Sequence, residues 1–178
     1  MSTAKPDNAP DSIEGGCLCG AVRYELDLVK NWPPGRHTCQ CTQCRKWTGA
    51  IVVPFLSVSS EQLTWGSTFA QDLSHTTPPT KLDFFIEYSA SPGYYRGFCN
   101  KCGSTLSWRS DKEPGVVEIT LGSVDERDLL NKMDGELGRL LSHPAGGHFW
   151  SKNAIKGVTD LMPGKKHPES SELEEMKG

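Results

Sequence analysis

Seven cysteines fall in three tight clusters, and no other feature restricts so sharply what this chain can fold into. The clusters are Cys17-Leu18-Cys19, Cys39-Gln40-Cys41-Thr42-Gln43-Cys44 and Cys99-Asn100-Lys101-Cys102. An odd count argues against a closed disulfide framework. The opening stretch MSTAKPDNAPDSIEGG lacks the apolar core of a signal peptide, and no apolar run approaches the ~20 residues of a membrane span. A soluble, cytoplasmic protein is expected, with its thiols reduced. Clustered reduced thiols bind metal or react, and soft thiolate ligands select zinc. Neither ferredoxin spacing is present, which argues against an iron–sulfur cluster.

The spacings also carry geometry. A Cys-x-Cys pair on a strand points both sulfurs the same way. A Cys-x-x-Cys pair suits a tight turn, and Gly103 directly after Cys102 is free to take positive φ there. The thiols divide as four plus three in either of two ways. Cys41/Cys44 could join Cys99/Cys102 as a zinc ribbon, leaving Cys17, Cys19 and Cys39. Alternatively Cys17/Cys19 join Cys99/Cys102, leaving Cys39, Cys41 and Cys44 together. The second division is preferred, because it keeps every cluster intact at little loop-closure cost. Four thiolates make a closed structural site, whereas three leave a position open for water or a substrate thiol. The competing expectation is that His37, two residues before Cys39, completes a Cys₃His site.

Around the clusters the signals are those of short strands: CLCGAVRYEL, AIVVPFLSV, QLTWG, LDFFIEY, GYYRGF, STLSWR and GVVEITLGSV, punctuated by Gly, Pro and Ser. Pro54 hints at an edge or a bulge, and SHTTPPT reads as a surface loop. Ser123 stands three before Glu126 as a capping box, so a helix over DERDLLNKM is expected to stop at Asp134-Gly135. The prediction is a mainly β fold of antiparallel sheets with one or two short helices, stabilised by zinc. Residues 1–14 read as a flexible arm, 15–160 as a single domain and 161–178 as a flexible tail. The chain has 178 residues and a net charge of −3, so neither a nucleic-acid nor a membrane partner is expected. Oligomeric state is left open.

The stretches GGCLCGAVRYEL, CQCTQCRKWTGA, GFCNKCGSTLSW and LGSVDE, in this order, resemble the glutathione-dependent formaldehyde-activating enzymes and centromere protein V. The resemblance runs from residue 15 to about residue 126. It implies coiled antiparallel sheets and two zinc ions. One is structural, on Cys17, Cys19, Cys99 and Cys102; the other, labile and catalytic, is on Cys39, Cys41 and Cys44. It also implies a carbon–sulfur lyase joining formaldehyde to glutathione as S-hydroxymethylglutathione, the substrate thiol taking the open position. Gln40 departs from the histidine usual there and should point away from the metal. Residues 133–147 fit the family poorly, and His148-Phe149-Trp150 resembles its late His–aromatic segment. The rival readings are a non-catalytic zinc-stabilised module for a protein or small thiol, and a related enzyme of different substrate.

Given that resemblance, Arg45, Trp47, Thr48, Gly49 and His148 are the candidate substrate-binding residues. Lys46, Arg96 and Lys101 also flank the clusters and could meet glutathione's carboxylates. Tyr94, Tyr95, Phe98 and Trp108 are expected in the sheet core, and Ser123 as a helix cap. No role is assigned to His75 or His167.

Overall fold

The computed structural model describes residues 5–32, 34–67, 70–75 and 83–170, with backbone alone for 67 and 70–75. Among these residues two sheets form. The smaller contains β1 (Ser12–Gly16), β2 (Arg23–Asp27), β5 (Leu63–Ser67) and β6 (Ala70–His75) in the order β1-β2-β5-β6. The larger contains β3 (Gly35–Cys39), β4 (Val53–Ser59), β7 (Phe85–Ser91), β8 (Tyr94–Cys99), β9 (Thr105–Ser110), β10 (Val116–Thr120) and β11 (His148–Phe149). Its order is β11-β3-β4-β10-β9-β8-β7. Every described pairing between these strands is antiparallel except β11 with β3. The described α-helices are α1 (Thr42–Thr48) and α2 (Glu136–Ser142). The mainly β expectation therefore holds.

β4 shows why these segments are strands. Its side chains alternate, with Leu56 and Val58 turned toward the smaller sheet and Val53 and Phe55 toward the opposite face. The core between the sheets joins Leu56, Val58, Leu106, Val117 and Ile119 to Tyr24, Leu26, Leu63 and Trp65, all buried. Tyr24 meets Trp65 edge-on at 5.6 Å, and Trp65 meets Phe85 at 4.6 Å between ring centroids. Pro54 marks neither an edge nor a bulge, for β4 lies between β3 and β10. The β10 ladder begins only at Phe55, so the proline sits where no bond from that side is required.

Three other expectations need correction. Cys17-Leu18-Cys19 lies in a turn after β1, not on a strand, and the Leu18 side chain is exposed. Ser123 does not cap a helix: its hydroxyl donates to Thr120 O at 2.7 Å and lies 2.9 Å from the Tyr24 hydroxyl. The chain past it forms a π-helical turn at Arg127–Asn131 and a 3₁₀ segment at Lys132–Gly135. Met133 and Asp134 take positive φ, and α2 then begins instead of the chain stopping at Gly135.

Described structure also extends into the stretches read as arm and tail. β1 starts at Ser12, because its Ile13 is needed in the core. His167 is buried, with its N–H donating to His148 O at 2.9 Å and its Nε2 3.0 Å from Gly146 O. Most of the SHTTPPT stretch lies outside the described residues.

Gly97 is a close-approach point between β8 and β9. A Cβ there would lie 2.3 Å from Ser107 Oγ and 2.5 Å from Cζ of Phe85, whose ring is held against Trp65. Gly97→Ala is expected to cost about 1–3 kcal/mol by overpacking. An unchanged thermal midpoint would show that the Phe85 ring moves aside freely.

Candidate functional site

The sulfurs of Cys17, Cys19, Cys99 and Cys102 lie within 4.8 Å of one another, and so do those of Cys39, Cys41 and Cys44. This is the second of the two divisions. The quartet joins the turn after β1 to the turn after β8, and so links the two sheets. Val22 N–H donates to Cys17 Sγ at 3.2 Å, and Cys102 Sγ lies 3.3 Å from Ser104 Oγ. Gly103 has a φ of 77°, the backbone its position after Cys102 called for. Burial first, then its thiol neighbours, pushes the Cys99 thiol up to about 12. A divalent cation is the partner that would keep such a thiol deprotonated.

The triplet sits where β3 hands the chain to α1. Cys39 ends β3, and Cys41 is the N-cap of α1, its sulfur accepting the Cys44 N–H at 3.2 Å. Hydrogen bonds from the Cys39 and Cys44 thiols hold Cys41 down to about 2. The same contacts push Cys39 up to about 12 and Cys44 well above the ordinary thiol range. Protein neighbours alone thus favour one anion among three sulfurs. Three soft donors at this separation fit a thiophilic cation that would ionise the rest.

No histidine nitrogen joins this group among the described residues. His37 shares a face of β3 with Cys39, but its ring packs between Phe55, at 5.5 Å, and Phe149, at 4.8 Å. Its Nδ1 lies 3.4 Å from Ser57 Oγ and 3.8 Å from Glu118 Oε2. The Cys₃His arrangement is therefore absent: the strand register aims His37 at β4 and β10.

The triplet opens on a cleft of about 590 Å³, lined among others by Phe55, Tyr94, Arg96, Trp108, Glu118 and Trp150. The floor is the outer face of the larger sheet, where one row of paired positions runs Arg96–Trp108–Glu118–Ser57 across β8, β9, β10 and β4. The far wall, with Phe149, Trp150 and Asn153, belongs to the chain after α2. Gly147 O and Phe149 O accept the Thr38 and Gln40 N–H groups at 3.1 Å and fasten that wall to β3. Gln40 accepts from the Thr159 hydroxyl at 2.7 Å and so points away from the sulfurs.

None of Arg45, Trp47, Thr48, Gly49 and His148 lines this cleft, whereas Arg96, which also flanks the thiols, does. Trp47 packs behind the thiols, near-parallel to Phe55. Thr48 donates to Cys44 O at 2.9 Å, and Gly49 closes α1 with a φ of 75°. Arg45 lies in the last turn of α1, outside the lining. His148 is 1 % exposed, and both its ring nitrogens meet protein groups, 2.7 Å from Thr38 Oγ1 and 3.0 Å from Pro163 O. Conversely Tyr94 and Trp108, expected in the core, stack at 5.7 Å and face the cleft. Glu118 carried one sequence signal, a charge inside the apolar run VVEIT. Alternation alone would have sent it to solvent.

A thiol triplet beside a cleft on a mainly β scaffold defines a metal-site class of small β protein. The family model for glutathione-dependent formaldehyde-activating enzymes matches residues 12–135, and the chain belongs to that family. A Halomonas elongata protein named "Putative glutathione-dependent formaldehyde-activating enzyme" is 29 % identical over 122 residues, 64 % of this chain. The match spans 66 % of that relative's length. A crystal structure of a Rhodobacter sphaeroides protein superposes with a TM-score of 0.47 at 21 % identity, covering 66 % of this chain and 94 % of that one. Among the described residues no helix is long and apolar enough to cross a membrane.

His37 and Glu118 impose opposite pH dependences. Burial, with the nearby His167 adding to it, lowers His37 from 6.5 to about 4, so its contribution to stability is lost as pH falls through that range. Burial raises Glu118 from 4.5 to about 7 despite the Ser57 hydroxyl that donates to it, so ionisation destabilises the fold as pH rises. With His37 neutral, their 3.8 Å approach is not an ion pair. Glu118→Gln removes only the second effect. Its stability relative to wild type should therefore grow by about 1–3 kcal/mol between pH ~4.5 and ~7, then level off, in urea unfolding. A difference independent of pH would place the Glu118 titration outside that window.

Proposed function

We propose that this chain is a zinc-dependent carbon–sulfur lyase of a thiol–aldehyde adduct, with glutathione and formaldehyde combining reversibly to S-hydroxymethylglutathione. The observation that carries this reading is the triplet Cys39, Cys41 and Cys44, which has no fourth protein ligand among the described residues and opens on a cleft. The cleft volume falls within the ~300–1,000 Å³ usual for small-molecule sites. Zinc there would supply a centre with one free position for the substrate sulfur, keeping that sulfur deprotonated near neutral pH. A second zinc on Cys17, Cys19, Cys99 and Cys102 would be structural.

The chain's own residues then bind and orient. Phe55, Trp108 and Trp150 keep the sulfur end of the cleft largely apolar, which disfavours competing water. In the forward direction a carbon–sulfur bond forms, the carbonyl π bond breaks, and the thiol proton ends on the new hydroxyl oxygen. Arg96 and Lys112 line the cleft whereas Arg45 does not, which supports Arg96 as the group that meets a substrate carboxylate. Reduced thiols at both clusters suit a cytoplasmic setting.

Cys44→Ser should lose one equivalent of bound metal and keep its cooperative melt, whereas Cys102→Ser should lose the fold with its metal. Exchange NMR should show the metal-loaded protein accelerating glutathione–formaldehyde interconversion over the uncatalysed rate. If Cys44→Ser unfolds as readily as Cys102→Ser and no acceleration is seen, the triplet is structural and the protein a zinc-stabilised binding module.

A further inference from the structure

In the cleft, buried Arg96 and half-buried Glu118 have no Asp, Glu, Lys or Arg side chain as partner among the described residues. Arg96 is 3 % exposed, its Nη2 donates to Gln43 Oε1, and its Nε and Nη1 have no hydrogen-bond partner. The Glu118 side chain is 14 % exposed and accepts from the Ser57 hydroxyl at 2.8 Å. Among the described residues the basic side chain within 4 Å of it is His37, whose Nδ1 lies 3.8 Å from Oε2 and whose ring is held between Phe55 and Phe149. Arg96 and Glu118 both line the cleft and do not pair with each other. A guanidinium with two unpartnered nitrogens out of water is costly. An unsatisfied buried group of this kind calls for an explanation, and a ligand that completes it is one.

Their spacing defines what would complete them. Both are paired directly with Trp108, on either side of it. At the ~4.8 Å separation of neighbouring strands their Cα atoms stand about 10 Å apart, with the indole as floor between them. Long side chains from both flanks can converge above that ring on a group carrying both charges on one carbon. A plain dicarboxylate would meet repulsion from Glu118, and a simple amine would leave Arg96 unmated. We infer that the cleft contains a subsite for the zwitterionic α-amino-acid end of the substrate thiol, its carboxylate on Arg96 and its ammonium on Glu118, above Trp108. This rests on the triplet as the sulfur site and deepens that assignment: the substrate class is a thiol with a free amino-acid end, such as the γ-glutamyl end of glutathione.

The test uses the full metal-loaded chain and S-methylglutathione, which keeps both ends but has no free thiol, with its N-acetyl derivative as control. In calorimetric titrations wild type should bind S-methylglutathione about tenfold or more tighter than the N-acetyl form, the scale of a lost charged hydrogen bond. Glu118→Gln should bind the two alike. Arg96→Lys, which loses the planar fork, should weaken both about tenfold with metal content unchanged. The ratio of glutathione to 2-mercaptoethanol turnover should fall in both variants. The subsite is overturned if wild type does not distinguish the two ligands, if Glu118→Gln keeps the preference, or if Arg96→Lys acts only by losing metal. If wild type turns over neither thiol, the lyase assignment fails while the binding preference still decides the subsite.

Discussion

The four sulfurs of Cys17, Cys19, Cys99 and Cys102 are the contact on which the rest of the structure depends. They come from the ends of two strands in different sheets, with Cys19 and Cys99 separated by 80 positions in the chain. Closing a loop of that length costs entropy once, and after that the two sheets are held face to face. The core they enclose is built around Leu56, Tyr24 and Trp65. A metal held by all four would cross-link the sheets at the edge of that core, and such a link is worth most where the loop is long. The same link fixes where β8 ends, and with it where Arg96 stands on the outer face.

The second thiol group follows a different logic. It is local, assembled by the last residue of a strand and the first turn of a seven-residue helix. Local assembly needs no other part of the chain to bring the sulfurs together, so it leaves one side free to face a cavity. What makes that side a cleft is the segment after α2. β11 adds in parallel to β3, and the loops beyond it raise a wall of Phe149, Trp150 and Asn153 over the sheet. This segment lies past the stretch matched by the family model. The family core thus supplies the thiols, and this chain's C-terminal part supplies much of the shape around them. Gln40 belongs to that arrangement, since its side chain accepts from Thr159 in the same segment.

Much of the fold was legible because period-two alternation and turn residues are local signals. β4, β8, β9 and β10 lie where AIVVPFLSV, GYYRGF, STLSWR and GVVEITLGSV placed them. β1 and β11 were not legible. Each is short, and each exists because an adjacent strand offers it a free edge. Ser123 failed as a cap for a similar reason: the Tyr24 hydroxyl and Thr120 carbonyl compete for its side chain. Proximity in sequence to the thiols did not translate into a place in the cleft lining. α1 turns Arg45, Trp47 and Thr48 away from the cleft, and His148 is consumed by Thr38 and Pro163.

The sequence by itself determined the thiol clusters that could hold metal and the strand-rich fold, because thiol spacing and alternation are properties of neighbouring residues. It also carried the family, through motifs that are local in the same sense. Only the tertiary structure decided which thiols stand together, that His37 belongs with Glu118 rather than with the sulfurs, and that Arg96 and Glu118 share one row of the cleft floor. Those facts depend on inter-strand register and on a covering segment more than a hundred residues from β3. Register is set by packing the two sheets on each other, which no local pattern encodes.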